Sequence, residues 1–287
     1  MYQKTYFGIN NILYYIYHVK KYLVNIVFLF VCVSSYSQTV NILPASYFAG
    51  GVSVAQKGEW QGFHNPALLG ACDRYEIATV YENRFGMKEL STQSLSFALP
   101  TSLISVGASI SHFGYAGYSE MLAGISFARS FDNYFTMGVQ FDYYSVSFSN
   151  SVGNKGVVVP QIGFLSEVTS DFYVGFNAFN PTHQQLKYQE IIKDIPCLLS
   201  LGVQYNFSGT FQWVCQLDKE VSSDLIWRTG FEYQPVPALV VRLGGYGAPF
   251  SPTLGCGVRL GGLFFDVNFE RHPVLGITSV GALRYNF

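Results

Sequence analysis

Charged side chains recur at every second position along several segments of this chain, mostly in its C-terminal half. Asp266 and Glu270 alternate with Phe265, Val267 and Phe269. Because successive side chains of a β-strand point to opposite faces, this pattern predicts strands with one apolar and one charged face. The charged residues in this phase are Asp142, Asp218, Arg228, Glu232, Arg242, Arg259, Asp266, Glu270 and Arg284.

Both signs of charge occur in this set, which limits the chemistry that it can carry. Away from bulk water an isolated charge is costly, so acids and bases that share an interior are expected to pair. The pattern therefore favours a salt-bridged interior that supports the surrounding wall. A polar constriction that selects a solute is the alternative.

Residues suited to catalysis are present without the spacing that catalysis requires. The histidines after residue 38 are His64, His112, His183 and His272, and none stands in a motif with Ser, Asp or Glu. Metalloprotease, hydrolase and nucleotide-binding signatures do not occur, and the cysteines have no CxxC spacing. We predict a protein that binds and gates, without enzymatic activity, cofactor or metal.

Alternation of apolar and polar residues extends with short breaks from Tyr75 to Phe287. Turn-forming runs such as Phe131-Asp132-Asn133 and Gly261-Gly262 separate the candidate strands. A membrane-spanning strand needs about 9–11 residues, and bacterial single-chain barrels have even strand numbers. We predict an all-β, transmembrane antiparallel β-barrel over residues 75–287 with about 14 strands, and 12 as the alternative.

The composition supports a membrane environment. Hydrophobic residues make up 49% of the chain and charged residues only 12%, against roughly 25% charged in an ordinary soluble domain. Aromatic residues reach 17%, as lipid-facing girdles of a barrel require. The net charge of -1 gives no electrostatic footprint for nucleic acid. We expect membrane lipid as the main partner and no nucleic acid.

Two segments precede the predicted barrel. Residues 1–37 have the pattern of a signal peptide, with Lys20 and Lys21, a short apolar run, and small residues before Gln38. Residues 38–74 are rich in Gly and contain Asn65, Pro66 and Ala67, a turn followed by apolar residues. We predict that this second segment folds into the lumen as a plug, with those three residues as plug or gate candidates. A periplasmic arm is the alternative.

Two further regions carry predictions. Residues 181–196 are expected to form an extracellular loop, partly helical. Cys197, Cys215 and Cys256 share the phase of the apolar residues, so we expect them on the lipid face.

In the final strand, Tyr285 and Phe287 lie in one phase, and the chain ends on an aromatic residue. That ending resembles the C-terminal signal by which outer-membrane barrels are delivered to the barrel-assembly machinery.

Several motifs together resemble a known family. They are Ala49-Gly50-Gly51, then Asn65-Pro66-Ala67, and finally Arg284-Tyr285-Asn286-Phe287. They are similar to outer-membrane proteins of Bacteroidota related to the fatty acid transporter FadL, and most similar to the PorV/PorQ-type proteins associated with type IX secretion.

The resemblance implies a 14-stranded barrel in the outer membrane of a Gram-negative bacterium, plugged around Asn65-Pro66-Ala67. It implies an accessory role in protein secretion or surface assembly, with secretion-system subunits or exported proteins as partners. Transport of a small hydrophobic solute is the alternative, and a closed structural barrel is a third possibility.

Overall fold

Fourteen antiparallel strands form a closed barrel in the computed structural model. The structure describes residues 43–131, 134–148, 155–188, 191–221, 223–247 and 249–287. The predicted barrel is confirmed, with 14 strands and not 12. The predicted signal peptide, residues 1–37, lies outside the described residues, as do the first five residues of the 38–74 segment.

Strand boundaries follow the predicted alternation closely. The wall strands are β1 (Glu76–Asn83), β2 (Ser91–Leu99), β3 (Ser105–Tyr115), β4 (Tyr118–Phe131), β5 (Phe135–Phe148), β6 (Lys155–Thr169), β7 (Phe172–Phe179), β10 (Leu198–Ser208), β11 (Phe211–Glu220), β12 (Leu225–Val236), β13 (Leu239–Tyr246), β14 (Ser251–Leu260), β15 (Leu263–His272) and β16 (Gly276–Asn286). Short 3₁₀-helices span Ala49–Gly51, Pro66–Ala71, Arg84–Gly86 and Lys88–Leu90. Within the described ranges, no helix combines the length and apolar character needed to cross a bilayer.

The first and last strands close the wall. β1 and β16 pair in antiparallel register from Glu76 opposite Asn286 to Asn83 opposite Ser279. Each remaining wall strand pairs with its neighbours in the ring. Closure satisfies the backbone N–H and C=O groups that a bilayer core could not, so the C-terminal strand is a structural requirement of the whole wall.

The wall has one lipid-type face and one lumen face. On β1, Ile77 and Tyr81 are exposed while Glu76 and Glu82 are buried. On β5, Phe135, Met137, Val139, Phe141 and Tyr143 are likewise exposed. Outward residues at one rim form stacked aromatic pairs, including Phe131–Phe135 and Phe211–Phe231, with ring centroids 4.9 and 5.7 Å apart. This belt matches the aromatic girdle of an outer-membrane barrel.

The two rims differ in their connections. The rim near Tyr75 and Phe287 carries short turns such as 170–171, 209–210 and 261–262, whereas the opposite rim carries the long connection 180–197. Outer-membrane barrels place short turns in the periplasm and longer loops outside. We therefore assign the first rim to the periplasmic side and the second to the extracellular side.

The structure corrects two predictions. The described residues of 181–196 are not partly helical as predicted but contain a two-stranded hairpin, β8 (Gln185–Tyr188) paired with β9 (Ile191–Asp194). We call residues 180–197 the mouth hairpin. Cys256 lies on the outer face as predicted and Cys215 is half-buried, but Cys197, which directly precedes β10, is buried.

The C-terminal aromatics generate a test of barrel assembly. Tyr285 and Phe287 are exposed and stacked, with centroids 5.9 Å apart. Replacing both by Ser is expected to lower the fraction of folded barrel in bacterial outer membranes, measured by heat-modifiable gel mobility, while refolding into lipid vesicles falls less. Phe265→Ser with Phe269→Ser, which removes two exposed aromatics from β15, is the control. Equal losses in cells and vesicles for both pairs would contradict a specific signal.

Candidate functional site

The N-terminal part of the described chain lies inside the barrel. We call residues 43–74 the lumen segment. It begins near the extracellular rim, where the Arg84 guanidinium donates to the Leu43 carbonyl. It descends to the periplasmic side, where the Lys57 ammonium contacts the Glu167 carboxylate at 2.5 Å. It then rises again to Phe63 in the apolar cluster of the upper lumen before descending to β1. The segment therefore crosses the lumen more than once.

Asn65 joins two passes of this segment to the wall. Its side-chain oxygen accepts from the Ala67 N–H at 3.0 Å and so caps the helix Pro66–Ala71. Its amide nitrogen donates to the Val54 carbonyl at 2.7 Å and to the Phe164 carbonyl of β6 at 3.2 Å. Pro66 occupies the first helical position, where a missing N–H does no harm. Asn65 and Ala67 are fully buried.

Glycines on the lumen face allow the segment's backbone to touch the wall. A Cβ at Gly138 of β5 would collide with the backbone of Pro66, and a Cβ at Gly163 of β6 would collide with the Asn65 side chain. On the opposite wall, Gly230 of β12 faces Ala49 in the same way. These wall glycines therefore let the lumen segment pack directly against the wall on both sides of the lumen.

The C-terminal half of the wall holds the segment through buried charges. The Arg284 guanidinium, on a residue only 2% exposed, lies 2.8 Å from the Glu59 carboxylate of the lumen segment. It also approaches Glu76 at 3.5 Å and Asp266 at 3.9 Å. Arg242 pairs with Asp266 at 2.5 Å and with Glu232 at 3.2 Å. Each buried cation therefore has carboxylate partners, which offset its desolvation.

A second group connects the wall to the segment's backbone. Gln216 accepts from the N–H groups of Ser53 and Val54 at 2.9 and 3.2 Å, and donates to Asp218 at 2.7 Å. Asp218 in turn receives the Arg228 guanidinium at 2.7 Å. These contacts hold the middle of the segment against β11 and β12.

The remaining predicted charges make fewer or longer polar contacts. Glu270 accepts from the Tyr246 hydroxyl at 3.2 Å, and Arg259 lies 3.8 Å from Glu59 at a partly exposed position. Asp142 is buried on the other side of the lumen and accepts from the Gln140 amide at 2.7 Å. No ion pair among the described residues includes Asp142.

Sequence reasoning missed several partners of this network. Glu76 and Glu82 have the lumen phase of β1, opposite Ile77 and Tyr81, and could have been found from the alternation. Glu59 could not, because the lumen segment has no regular period that assigns its side chains to a face.

Burial also keeps two titratable groups of the lumen segment neutral. Desolvation raises the pKa of the Tyr47 hydroxyl well above its usual range, and the nearby Arg284 cation offsets this only in part. Desolvation lowers the pKa of His64 to about 4, and the Arg228 cation acts in the same direction. Neither group therefore adds a charge to the lumen near neutral pH.

The extracellular half of the lumen is apolar on one side. Leu122, Val146 and Val159 of the wall form a buried cluster with Phe63 and Leu43 of the lumen segment. The mouth hairpin covers this cluster with two buried side chains, Leu186 and Ile195. We call this cluster the upper chamber.

One ion pair fastens the mouth hairpin across the barrel. The Lys193 ammonium of β9 donates to the Glu120 carboxylate of β4 and to the Tyr118 hydroxyl, each at 2.6 Å. The Tyr144 hydroxyl of β5 also donates to Glu120, at 2.9 Å. The hairpin thus closes the upper chamber through a salt bridge on one side and apolar packing beneath.

The periplasmic half of the lumen contains a cavity with several polar lining residues. This cavity of about 310 Å³ opens between the lowest part of the lumen segment and the ends of β10–β14. Its lining includes Gln56, Lys57, Gln204, Gln212 and Arg259. Trp60, Leu68 and Leu165 belong to a second apolar cluster near the same rim, so polar and apolar regions lie side by side in the lumen.

Comparisons with known proteins find the same fold among outer-membrane barrels. No protein-family model matches the sequence, and no curated protein is significantly similar to it. The deltaS2S3 mutant of the monoaromatic hydrocarbon channel TodX matches with a TM-score of 0.62 and 11% identity over 84% of this chain and 98% of its own.

Two further solved structures are similar. The Pseudomonas putida toluene transporter TodX has a TM-score of 0.56 at 11% identity, covering 88% of this chain and 97% of its own. A Pseudomonas aeruginosa FadL homologue has a TM-score of 0.56 at 12% identity, covering 89% and 99%. At these identities the likeness establishes the fold. None of these structures bears on the PorV/PorQ-type assignment or on a Bacteroidota origin, which stay predictions.

The Arg284 network generates a stability prediction. Arg284→Met is expected to lower the free energy of unfolding by about 3–5 kcal/mol, because it leaves Glu59 and Glu76 buried without their shared cation. Arg259→Met, at a partly exposed site 3.8 Å from Glu59, is expected to cost less than about 1 kcal/mol. Urea titration of both variants in lipid vesicles measures the difference. Equal losses of unfolding free energy would show that the buried Arg284 contact stabilises the barrel no more than the partly exposed Arg259 contact.

The glycine contacts generate a prediction about closure. Gly138→Val is expected to displace the helix Pro66–Ala71 from the wall, because the new side chain takes the space of its backbone. Planar-bilayer recordings should then show conductance that the unchanged protein lacks. Gly281→Val is the matched control, since a Cβ there meets no atom within 4 Å. A folded Gly138→Val barrel that stays silent would contradict the prediction.

Proposed function

We propose that this chain is an outer-membrane channel for small hydrophobic solutes in a Gram-negative bacterium, and that it binds and gates without catalysis. The observation that carries the proposal is the upper chamber. The lumen of an outer-membrane barrel is ordinarily polar, yet here Leu122, Val146 and Val159 bury apolar surface inside it. Leu186 and Ile195 of the mouth hairpin cover this surface, and an apolar solute that took their place would gain the free energy of leaving water.

The similar structures support the same proposal by analogy of fold. They are a toluene transporter, a monoaromatic hydrocarbon channel and a FadL homologue. Unrelated functions can share one fold, so the chamber's own chemistry carries more weight than the likeness.

We assign the lumen segment the role of a plug that blocks straight diffusion along the barrel axis. Asn65, Pro66 and Ala67 hold it, because they fix the turn that rests on β5 and β6. The charged residues Arg242, Arg284 and Asp266 are assigned a supporting role, since they bind one another and the segment. The mouth hairpin is then the movable part through which a solute enters the upper chamber.

The accessory role in type IX secretion stays a prediction of the sequence resemblance. Exported proteins or secretion subunits would meet the barrel at its extracellular rim, where connections such as 84–90 and 273–275 are short. Among the connections that the structure describes in full or in large part at this rim, the mouth hairpin is the longest, and it is folded over the lumen. The same geometry suits entry of a solute better than docking of a protein.

Charge reversal at the mouth hairpin tests the transport proposal. Lys193→Glu is expected to raise toluene uptake by intact bacteria about tenfold, because losing the ion pair and adding repulsion to Glu120 favours the open hairpin by about 1.4 kcal/mol. Adding Glu120→Lys to this variant restores opposite charges and should return uptake toward the unchanged rate. Radiolabelled toluene accumulation is the measurement.

Lys187→Glu is the control, because Lys187 is an exposed residue of the same hairpin. It should leave uptake unchanged. If no variant changes uptake and the protein co-purifies with secretion subunits, the accessory role is correct instead. If uptake and co-purification are both absent, the closed structural barrel is favoured.

A further inference from the structure

Lys193 occupies a site built like a receptor for ammonium ions. Its ammonium nitrogen lies 5.3 Å from the ring centroid of Tyr118 and 5.4 Å from that of Tyr144. The same nitrogen lies 2.6 Å from the Glu120 carboxylate and 2.6 Å from the Tyr118 hydroxyl. The Tyr118 hydroxyl, the Tyr144 ring and the Glu120 carboxylate thus surround one cation, and an aromatic ring beside a carboxylate is a combination with which proteins recognise organic ammonium groups. We call Tyr118, Glu120 and Tyr144 the ammonium cage.

The cage belongs to the barrel wall and does not depend on the lysine for its shape. Tyr118 and Glu120 lie on β4, and Tyr144 lies on the adjacent strand β5. Both tyrosine hydroxyls donate to the Glu120 carboxylate. Tyr144 is fully buried and Glu120 is 7% exposed. The three groups therefore hold one another in position on rigid, paired strands.

The cation in the cage comes from the movable element. Lys193 stands on the mouth hairpin directly opposite Leu186, whose side chain is buried in the upper chamber. The hairpin thus inserts one cation and an adjacent apolar group into the wall. When it leaves, it vacates a cage for an ammonium group beside a space for an apolar body.

We propose that the ammonium cage and the upper chamber together bind small amphiphilic amines or quaternary ammonium compounds, and that Lys193 fills the site as an internal substitute until such a solute displaces it. This inference rests on the proposed channel function and specifies its class of solute. The cage receives the ammonium group, and Leu122, Val146 and Val159 contact the apolar body.

Glu120 gives the site its preference for a cation over a neutral hydrophobe. Its carboxylate is almost fully buried and is paired with Lys193 when the hairpin is closed. A neutral solute that displaced the hairpin would leave this carboxylate without a cation, which is costly in a desolvated site. An ammonium solute replaces the lost partner.

A variant that empties the cage tests the inference. Lys193→Ala is expected to bind benzyltrimethylammonium at least about tenfold more tightly than the unchanged protein, because the internal competitor is gone. It should bind neopentylbenzene, the neutral compound of the same shape, at least about tenfold more weakly than the cation. Equilibrium dialysis of both labelled probes in a non-ionic detergent gives the two dissociation constants.

Two further variants make the result specific. Lys187→Ala removes an exposed lysine from the same hairpin and should bind both probes as the unchanged protein does. Adding Glu120→Gln to Lys193→Ala should abolish the preference for the cation while neopentylbenzene still binds. If Lys193→Ala binds both probes equally, the ammonium site is wrong and the hydrophobic channel stands. If it binds neither, the upper chamber is not a solute site and both proposals fail.

Discussion

The pairing of β1 with β16 is the constraint on which the rest of this structure depends. In a bilayer an open sheet edge would leave backbone N–H and C=O groups without partners, so the wall must close on itself. Closure from Glu76 through Asn83 against β16 divides every strand into an outer and an inner face. The outer face is apolar for lipid. The inner face then encloses a space that water, side chains or another part of the chain must fill.

The lumen segment fills that space, and the two halves of the wall receive it differently. In the N-terminal half, Gly138 and Gly163 lack side chains, so the backbone near Pro66 lies directly against the wall. In the C-terminal half, Arg284 and Gln216 reach inward to Glu59 and to the backbone of Ser53. Close backbone packing on one side and buried ion pairs on the other fix the same segment. This division explains why small residues and charges are segregated along the sequence.

The lumen contains both apolar and polar regions. Near the extracellular rim, Phe63 and the wall form an apolar cluster that the mouth hairpin covers. Near the periplasmic rim, the cavity is lined by polar groups such as Gln56 and Gln204. One salt bridge and two apolar side chains hold the mouth hairpin over the lumen. A solute with matching groups could replace these contacts. The lumen segment, by contrast, is held at several points by fully buried groups such as Asn65 and Arg284.

The sequence by itself determined the wall. A period of two with Gly, Asn and Asp at the breaks is a local property, and it was sufficient to predict the barrel, its 14 strands and the outward phase of residues such as Phe135 and Leu243. It also placed Asp266 and Arg242 on the inner face. Tertiary structure decided what the inner face contacts, because those partners are distant in the chain and come from irregular segments. Glu59 carries no periodic signal, and its contact with Arg284 exists only because the barrel closes around the lumen segment. Contacts with the wall likewise position the mouth hairpin over the upper chamber. Lys193 contacts Glu120 and Tyr144, which lie on strands far earlier in the sequence.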